Sequence, residues 1–209
     1  MARRSAPEVN AGSMADIAFL LLIFFLVTTT IEVDSGIASK LPPPLPENTP
    51  PPPVKEKNIF QVIVNAENRL LVEDKDMEIG KLTEATVAFL DNGGGTEPRN
   101  ACTYCRGKRD PDSSDNPKKA IVSLVNDRQA SYKMYLAVTN ELVRAYAILR
   151  DREAKRLYNE TYQSMSNRSD GWPADEKESP EFLELQDKME KVRDLFPRNL
   201  SEAEPQNRE

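Results

Sequence analysis

The chain has 209 residues, a formal net charge of −6 and no histidine. The missing histidine excludes Ser-His-Asp and Cys-His catalysis as well as metal sites built on imidazole, and the acidic balance gives no electrostatic footprint for nucleic acid. The N-terminal features described next take up part of this length. The remaining residues are enough for one modest domain with a limited core.

The first element is an apolar run that begins at Met14 and continues to Val27. Residues 11–31 contain one ionisable group, Asp16, and at 1.5 Å per residue they measure about 30 Å, the thickness of a bilayer core. We therefore predict a cytoplasmic N-terminus at 1–10 and a single transmembrane helix at 11–32.

The charges at the two ends of this run predict its orientation. Arg3 and Arg4 precede it, whereas Glu32 and Asp34 follow it, which favours an N-terminus in the cytoplasm and the remaining chain outside. A basic start and a short apolar core also occur in cleaved signal peptides. The acid inside the run and the absence of a good cleavage site after it oppose that alternative.

Asp16 is the candidate functional residue of the run. Acidic side chains within membrane segments are functional by default, and a carboxyl group in a low-dielectric setting can hold a proton near physiological pH. The alternative is an acid in the first turns of a helix, which suits the helix dipole and reaches interfacial water. Leu20, Ile23 and Val27 follow at steps of four, three and four, so we expect them to extend this helix face toward a partner helix or a second copy.

A proline-rich linker is predicted at residues 33–57. Eight of the twelve residues from Pro42 to Pro53 are proline, which favours extended polyproline II and excludes helix or sheet. At about 3.1 Å per residue the segment would reach nearly 40 Å. It is either a passive spacer or a semi-rigid strut, and in both cases it separates the helix from the domain.

The extramembrane domain is predicted at residues 58–163 and begins with a β-hairpin, because two runs rich in β-branched and aliphatic residues flank a polar turn. Further elements follow from the apolar periodicity. The predicted strands are Ile59 to Val64, Arg69 to Val72 and Ala120 to Val125, and the predicted helices are Ile79 to Leu90 and Tyr135 to about Tyr162. This order predicts an α+β sandwich with its helices on one face of the sheet.

A loop insertion at residues 91–117 interrupts this domain. Its glycine run, Gly93-Gly94-Gly95, indicates a long loop, and it contains both cysteines of the chain, Cys102 and Cys105. In an oxidising compartment we expect a local disulfide between them; a free pair and a thioredoxin-like redox site are the alternatives. A zinc site would need ligands from a second chain, so we predict no metal.

The remaining residues, 164–209, form an acidic tail with one amphipathic helix. Ser179-Pro180-Glu181 is a good helix start. Apolar residues then repeat at heptad spacing: Phe182, Leu185, Met189, Val192 and Phe196. The stripe must be buried, either against the chain's own domain or against a partner subunit or second copy.

The N-terminal third of the chain resembles the ExbD/TolR family of inner-membrane motor subunits. The resemblance lies in Asn10 to Ile17, the Leu/Ile/Phe run, Lys40-Leu41-Pro42 and the proline-rich stretch, and it covers roughly the first 75 residues. Many members have Thr-Pro-Phe or Thr-Pro-Leu where this chain has Gly12-Ser13-Met14-Ala15.

The resemblance implies roles for individual residues. Asp16 corresponds to the proton-carrying aspartate of the family, and Leu41 and Pro42 to a Leu-Pro motif with a role in conformational control. It also implies a small periplasmic domain that dimerises. Family members close their sheet with a strand after the last helix, whereas residues 150–163 look helical here, which leaves the sheet edge open as a question.

The favoured function is thus a motor subunit in the inner membrane of a Gram-negative bacterium, driven by the proton motive force. The resemblance implies an ExbB-like oligomer and a TonB-like transducer as partners, a homodimer and no cofactor. A TolR-like subunit for envelope maintenance is the alternative within the family. A membrane-anchored scaffold that binds cell wall or protein is the alternative outside it, and an enzyme is not expected, since the chain has no G-x-S-x-G, P-loop or metal-ligand motif.

Overall fold

The computed structural model describes residues 11–28 and 54–203, which belong to two compact units, Met1–Pro44 and Leu45–Glu209. In the first unit, Ala11–Thr28 form one helix, α1. The Thr28 hydroxyl donates to the Phe24 carbonyl at 2.7 Å, so this threonine satisfies backbone of its own helix. Of the helices in the described ranges, none meets the length and apolarity of a membrane span. The span predicted at 11–32 stays a prediction.

The described residues of the second unit form a five-stranded sheet and four helices. Its strands are β1 Ile59–Val64, β2 Leu70–Val72, β3 Lys75–Asp76, β4 Ile121–Asn126 and β5 Leu200–Ala203. Its helices are α2 Ile79–Leu90, α3 Tyr132–Tyr158, α4 Tyr162–Asp170 and α5 Pro180–Leu195, with short 3₁₀ turns at Glu56–Asn58 and Ala174–Glu176. The mixed α+β content agrees with the predicted fold class.

The sheet is mixed, in the order β3-β2-β1-β4-β5. β1 pairs antiparallel with β2, and β4 lies parallel to both β1 and β5. Successive side chains of a strand point to opposite faces of the sheet. The alternation of buried and less buried residues along β1 therefore shows which face of the sheet the helices cover. Phe60, Val62 and Val64 are buried in the main core, together with side chains of α2, α3 and the residue that follows α5, Phe196.

The predicted hairpin, the helix Ile79–Leu90 and the third strand are present. The long helix is also present but ends at Tyr158, because Asn159 has a left-handed backbone (φ 56°), a common way to end a helix. A new helix, α4, then begins after Thr161, whose side chain accepts a hydrogen bond from the Ser164 amide.

Residues 164–203 pack with the sheet domain, so the structure has no division at the predicted boundary, residue 163. α5 begins where predicted, with Ser179 as its N-cap, and its buried residues Leu185, Met189 and Val192 form a second small core with the end of α3 and with Met165 of α4. β5 then joins the sheet beside β4. The closing strand exists, but it follows α5 instead of α3.

Candidate functional site

Asp16 lies in the second turn of α1 and is the one ionisable residue of this helix. Its side chain is exposed within its unit, as are those of Met14 and Ile17 beside it. No ion pair or hydrogen bond joins the carboxylate to another residue in the described ranges. A carboxylate on an apolar helix that has no partner among the described residues needs one elsewhere, either a proton or a polar group.

The residues predicted to share a face with Asp16 lie in the same helix. Leu20 and Ile23 are exposed at 58% and 40%, and Val27 is the penultimate residue of α1. Steps of four, three and four residues place all four positions on one side of a helix with 3.6 residues per turn. The helix is apolar on its other sides too, so this face is distinguished by Asp16 and not by hydrophobicity.

Two predicted site residues, Leu41 and Pro42, lie outside the described residues, as do the N-terminus at 1–10 and most of the proline-rich linker. Their role in conformational control stays a prediction. Within residues 11–28 and 54–203, no cluster of three or more potential metal ligands is present.

Cys102 and Cys105 are joined by a disulfide, with their Cα atoms 5.5 Å apart, and both are buried. The bridge packs against the glycine run: a Cβ atom at Gly93 would lie 2.7 Å from the Cβ atom of Cys105. Gly93 also has a left-handed backbone (φ 68°), which glycine adopts at no steric cost. This position therefore requires glycine for two independent reasons.

Buried polar side chains hold the rest of the insertion. The Asn92 amide nitrogen donates to the carbonyl oxygens of Asp110 and Ser114, both at 2.8 Å, and its oxygen accepts from the Asp110 amide at 3.0 Å. Asn116 donates to the Asn100 carbonyl at 3.0 Å. No helix or strand forms between Leu90 and Ile121, so backbone groups of this segment need other hydrogen-bond partners. The side chains of Asn92 and Asn116 supply some of them.

A buried ion pair ties the end of the insertion to the turn before β1. The Lys57 ammonium lies 2.5 Å from the carboxylate of Asp115, whose side chain is 2% exposed. The Asn58 side chain pairs with Asp115 twice, accepting from its backbone amide at 2.8 Å and donating to its carboxylate at 3.3 Å. Burial alone would raise the pKa of Asp115, but the hydrogen bonds from Lys57 and Asn58 and the Lys57 charge outweigh it and lower the pKa.

Tyr104, inside the disulfide ring, joins the insertion to the end of α5. Its hydroxyl donates to the Leu195 carbonyl at 2.7 Å, and its ring meets that of Phe196 edge to face at 5.5 Å. Burial, followed by the negative charges of Glu153 and Asp91, raises the pKa of Tyr104 to about 12. The insertion at residues 91–117 and the predicted acidic tail at residues 164–209 therefore contact each other.

Arginines of α3 complete this junction. Arg152 forms a two-bond ion pair with Asp91, at 2.5 and 2.8 Å, and its guanidinium lies 5.7 Å from the centre of the Phe196 ring. Arg150 donates two hydrogen bonds to the Phe196 carbonyl, at 3.0 and 2.9 Å. Arginine contacts with two hydrogen bonds fix the relative positions of the groups they join. These contacts therefore hold the start of the insertion and the chain segment before β5 against α3.

An open cavity of about 570 Å³ lies between the start of β1, α2 and the insertion. Its lining includes the apolar residues Ile59, Phe60 and Phe89. It also includes charged residues of both signs, among them Glu73 and Lys108. Glu73 is already engaged, because its carboxylate accepts the Gln61 amide at 2.7 Å. Because the charged residues of the lining have both signs, they indicate no particular class of ligand.

Sequence reasoning missed the polar residues that build the insertion. Asn58, Asn92 and Asp115 are 3%, 3% and 2% exposed. The glycine run Gly93-Gly94-Gly95 predicts a loop but does not indicate which polar side chains the loop buries. The partner of Asp115 lies 57 residues earlier in the chain, so no local pattern could reveal it.

The family model described as Biopolymer transport protein ExbD/TolR matches residues 2–149. The chain belongs to the ExbD/TolR family. The match covers α1 with Asp16, the whole insertion and the four strands before α3, and it ends within α3. The rest of this ExbD/TolR protein, which includes α4, α5 and β5, follows the matched region. No curated protein sequence matches the chain.

Membership in this family assigns the protein to biopolymer transport as an energising subunit, and proteins of the family work with ExbB- or TolQ-type partners. The resemblance seen in the N-terminal sequence is confirmed.

Proposed function

We propose that this ExbD/TolR protein is an inner-membrane subunit of a motor driven by the proton motive force, with Asp16 as its proton-carrying group. In this proposal α1 crosses the membrane from a cytoplasmic N-terminus, and the sheet domain lies in the periplasm of a Gram-negative bacterium. The observation that carries the proposal is the single carboxylate of α1, exposed and without an ionic partner among the described residues.

Proton binding at Asp16 would change the net charge of α1 between −1 and 0. A charge within an apolar helix is costly in a membrane, so the two states favour different contacts with neighbouring helices. Moving one charge through a potential of 100 mV releases about 2.3 kcal/mol, and a pH difference adds to it. This free energy is enough to bias a conformational equilibrium by more than tenfold per proton.

Partner contacts would involve the face that Asp16 shares with Leu20, Ile23 and Val27. We propose an ExbB-like oligomer as the partner at this face, with two copies of the chain in one assembly. The exposed leucine and isoleucine side chains suit packing, which is the main force between helices in a bilayer. Leu41 and Pro42 would control the conformation of the chain outside the membrane.

Outside the membrane, we propose that the sheet domain acts on a TonB-like transducer, and that the protein energises import across the outer membrane. It is a motor component and not an enzyme. A TolR-like role in envelope maintenance uses the same chain layout and is the second candidate within the family. A membrane-anchored scaffold that binds cell wall or protein, in which Asp16 is an interfacial helix-start residue, is the competing role outside it.

Complementation of a null strain with Asp16→Asn tests the proposal, because asparagine keeps the size of the side chain but cannot cycle a proton. We expect uptake of iron chelates or cobalamin to be lost while the membrane level and the partner complex, followed by native gel, are unchanged. Glu84→Gln, which neutralises an exposed acid of α2, is the matched control and should keep uptake.

The same strain distinguishes the remaining roles. Two results together would assign the protein to envelope maintenance. The null strain would show normal uptake, and its sensitivity to detergents would be relieved by the wild-type chain but not by Asp16→Asn. Full activity of Asp16→Asn in both assays would contradict a proton-carrying role and support the scaffold.

A further inference from the structure

The exposed part of the insertion and the residues that lead into β4 carry an excess of positive charge. Three acids are exposed between residues 96 and 119, namely Glu97, Asp110 and Asp112. Six cations are exposed in the same range and form what we call the basic surface: Arg99, Arg106, Lys108, Arg109, Lys118 and Lys119. None of the six forms an ion pair with another residue of the described ranges. A chain with a net charge of −6 therefore carries three surplus positive charges here.

The glycine run brings the parts of the basic surface together. A Cβ atom at Gly94 would touch the Asp110 carbonyl, and one at Gly95 would touch the Asn100 carbonyl. The Lys119 ammonium donates to the Asn100 side chain. Because the two glycines are adjacent, the cations before residue 110 and those around residues 99 and 119 lie on either side of them. They form one surface.

The backbone at Arg109 is strained in a way that its side chain does not explain. Arg109 has a left-handed backbone (φ 57°), which glycine and asparagine adopt more easily than arginine. The Asn92 carbonyl accepts from the Arg109 amide at 3.0 Å and holds this conformation, whereas the arginine side chain is exposed. The fold thus uses the backbone of this residue and not its charge. Strain of this kind is concentrated at functional sites, where it fixes the position of a group.

The basic surface lies at the end of the domain where the chain from α1 enters. The described residues of the domain begin at Val54, and Ile59 at the start of β1 pairs with Ile121 at the start of β4. Lys57, in the turn before β1, donates to the Pro111 carbonyl of the insertion at 2.9 Å. The insertion and the point of entry therefore share one end of the sheet.

We infer that the basic surface is a docking site for the anionic headgroups of the membrane that anchors the chain. The inference rests on the proposed function, in which α1 crosses the membrane and the domain lies outside it. The linker keeps the end of the domain to which it is attached within reach of lipid, and the charge of the basic surface is opposite to that of acidic phospholipids. Lys55 and Glu56, at the point of entry, cancel. An acidic protein segment has the same charge as these lipids, but the tether favours the membrane.

The expected contact is reversible. Each Lys or Arg close to an anionic surface strengthens binding about fivefold, so three surplus charges give roughly a hundredfold. The attraction extends over about one Debye length, ~10 Å at 0.1 M salt, so high salt should abolish the contact. Docking would hold the domain at the membrane, and release would give it the full reach of the linker.

The test measures energy transfer between the insertion and labelled lipid in the full chain. A donor dye is placed on Thr96→Cys, and the chain is reconstituted into vesicles of phosphatidylcholine, with or without one quarter phosphatidylglycerol. The native cysteines are buried in their disulfide and take no dye. We expect more transfer in the vesicles with phosphatidylglycerol, and loss of this increase in high salt. A dye on Glu67→Cys, in the turn after β1 at the opposite end of the sheet, should show no increase.

Two pairs of substitutions separate the role of charge from that of structure. Lys108→Gln with Arg109→Asn removes two charges of the basic surface, and asparagine suits the left-handed backbone, so the domain should not lose stability. Binding to the anionic vesicles should weaken about 25-fold, and the increase in transfer should fall with it. Arg128→Gln with Lys133→Gln removes two exposed cations near the other end of β4 and should leave the increase unchanged.

Equal transfer in both kinds of vesicle would overturn the inference, as would an increase that Lys108→Gln with Arg109→Asn does not reduce. An increase that requires added periplasmic extract would assign the surface to an acidic protein and would also overturn it. Flotation of the same vesicles keeps this test separate from the proposed function. A chain that does not float with lipid contradicts α1 as a membrane anchor, whereas a chain that floats without the increase contradicts only the docking surface.

Discussion

The sheet and the insertion of the second unit are held by opposite means. Val62 and Val64 of β1 are fully buried among other apolar side chains, and their positions follow from strand alternation. The insertion instead depends on a disulfide, on glycines pressed against backbone, and on buried polar groups such as Asn92 and Asp115. An apolar core tolerates substitutions that conserve volume, whereas a polar network tolerates few, because each unpaired member leaves an unsatisfied group.

The largest effect is expected where the two regions meet, at Phe196. Its side chain is fully buried between Tyr104 of the insertion and Arg152 of α3. Phe196→Ala should lower the free energy of unfolding by about 4 kcal/mol through lost burial and the cavity it leaves. Chemical denaturation measures this value. Leu183→Ala, on the exposed side of α5, is the control and should change it by less than about 0.5 kcal/mol; equal effects would contradict the assigned junction.

Removing the buried ion pair should cost nearly as much. Asp115→Ala removes the ionic partner of Lys57, which keeps its hydrogen bond to the Pro111 carbonyl, and it removes an acceptor of the buried Asn58 amide; we expect a loss of about 3 kcal/mol in the free energy of unfolding. Asp76→Ala breaks the ion pair with Arg69, whose side chains are both more than half exposed, and should cost less than about 1 kcal/mol. If the two variants unfolded at the same denaturant concentration, the polar network would not hold the insertion.

The same carboxylate predicts a pH dependence. The folded state lowers the pKa of Asp115, so its stabilisation is present above the unfolded pKa of about 3.9 and is lost as pH falls through the lower folded pKa. Asp115→Asn should therefore flatten the decline of stability below about pH 4. Denaturation curves of both proteins across this range measure the difference; parallel declines would contradict the account.

Two glycines provide a comparison of opposite sign. Gly93→Ala should destabilise the domain by about 2 kcal/mol, because its backbone is left-handed and its Cβ would meet Cys105. Gly80→Ala, in the first turn of α2, meets no atom within 4 Å and should stabilise the domain by up to about 1 kcal/mol. Thermal unfolding of both variants gives the signs, and a stabilising Gly93→Ala would exclude the described packing.

The smallest effect concerns the single hydrogen bond between the insertion and α5. Tyr104→Phe removes the bond to the Leu195 carbonyl and should cost about 1 kcal/mol. Because the pKa of Tyr104 is raised to about 12, its contribution is present below about pH 10 and falls as pH rises toward 12. The difference between the phenolate titration curves of the wild type and of Tyr104→Phe should show one transition, near pH 12. A transition near pH 10 would contradict the raised pKa.

The elements that the sequence predicted are those with local patterns. α2 and α5 have apolar periodicity, and α5 has a Ser-Pro start, so both could be assigned from neighbouring residues. β5 could not, because Leu200–Ala203 is short and mostly exposed, and only its parallel pairing with β4 makes it a strand. The end of α3 was also missed, since it depends on the left-handed backbone of Asn159.

For the candidate site, one residue could be named from sequence and the surroundings could not. Asp16 stands out because a charge in an apolar run is rare. The contacts of Tyr104 and Asp115 join residues 91 and 57 positions apart, which requires the fold.

The most direct test of the central claim is proton flux through the proposed motor. The chain would be reconstituted with the proposed ExbB-like partner in liposomes that contain a pH-sensitive dye, under an imposed membrane potential. We expect flux with the wild type and with Asp76→Ala, and none with Asp16→Asn at equal assembly. Undiminished flux through the Asp16→Asn complex would contradict the assignment of Asp16 as the proton carrier.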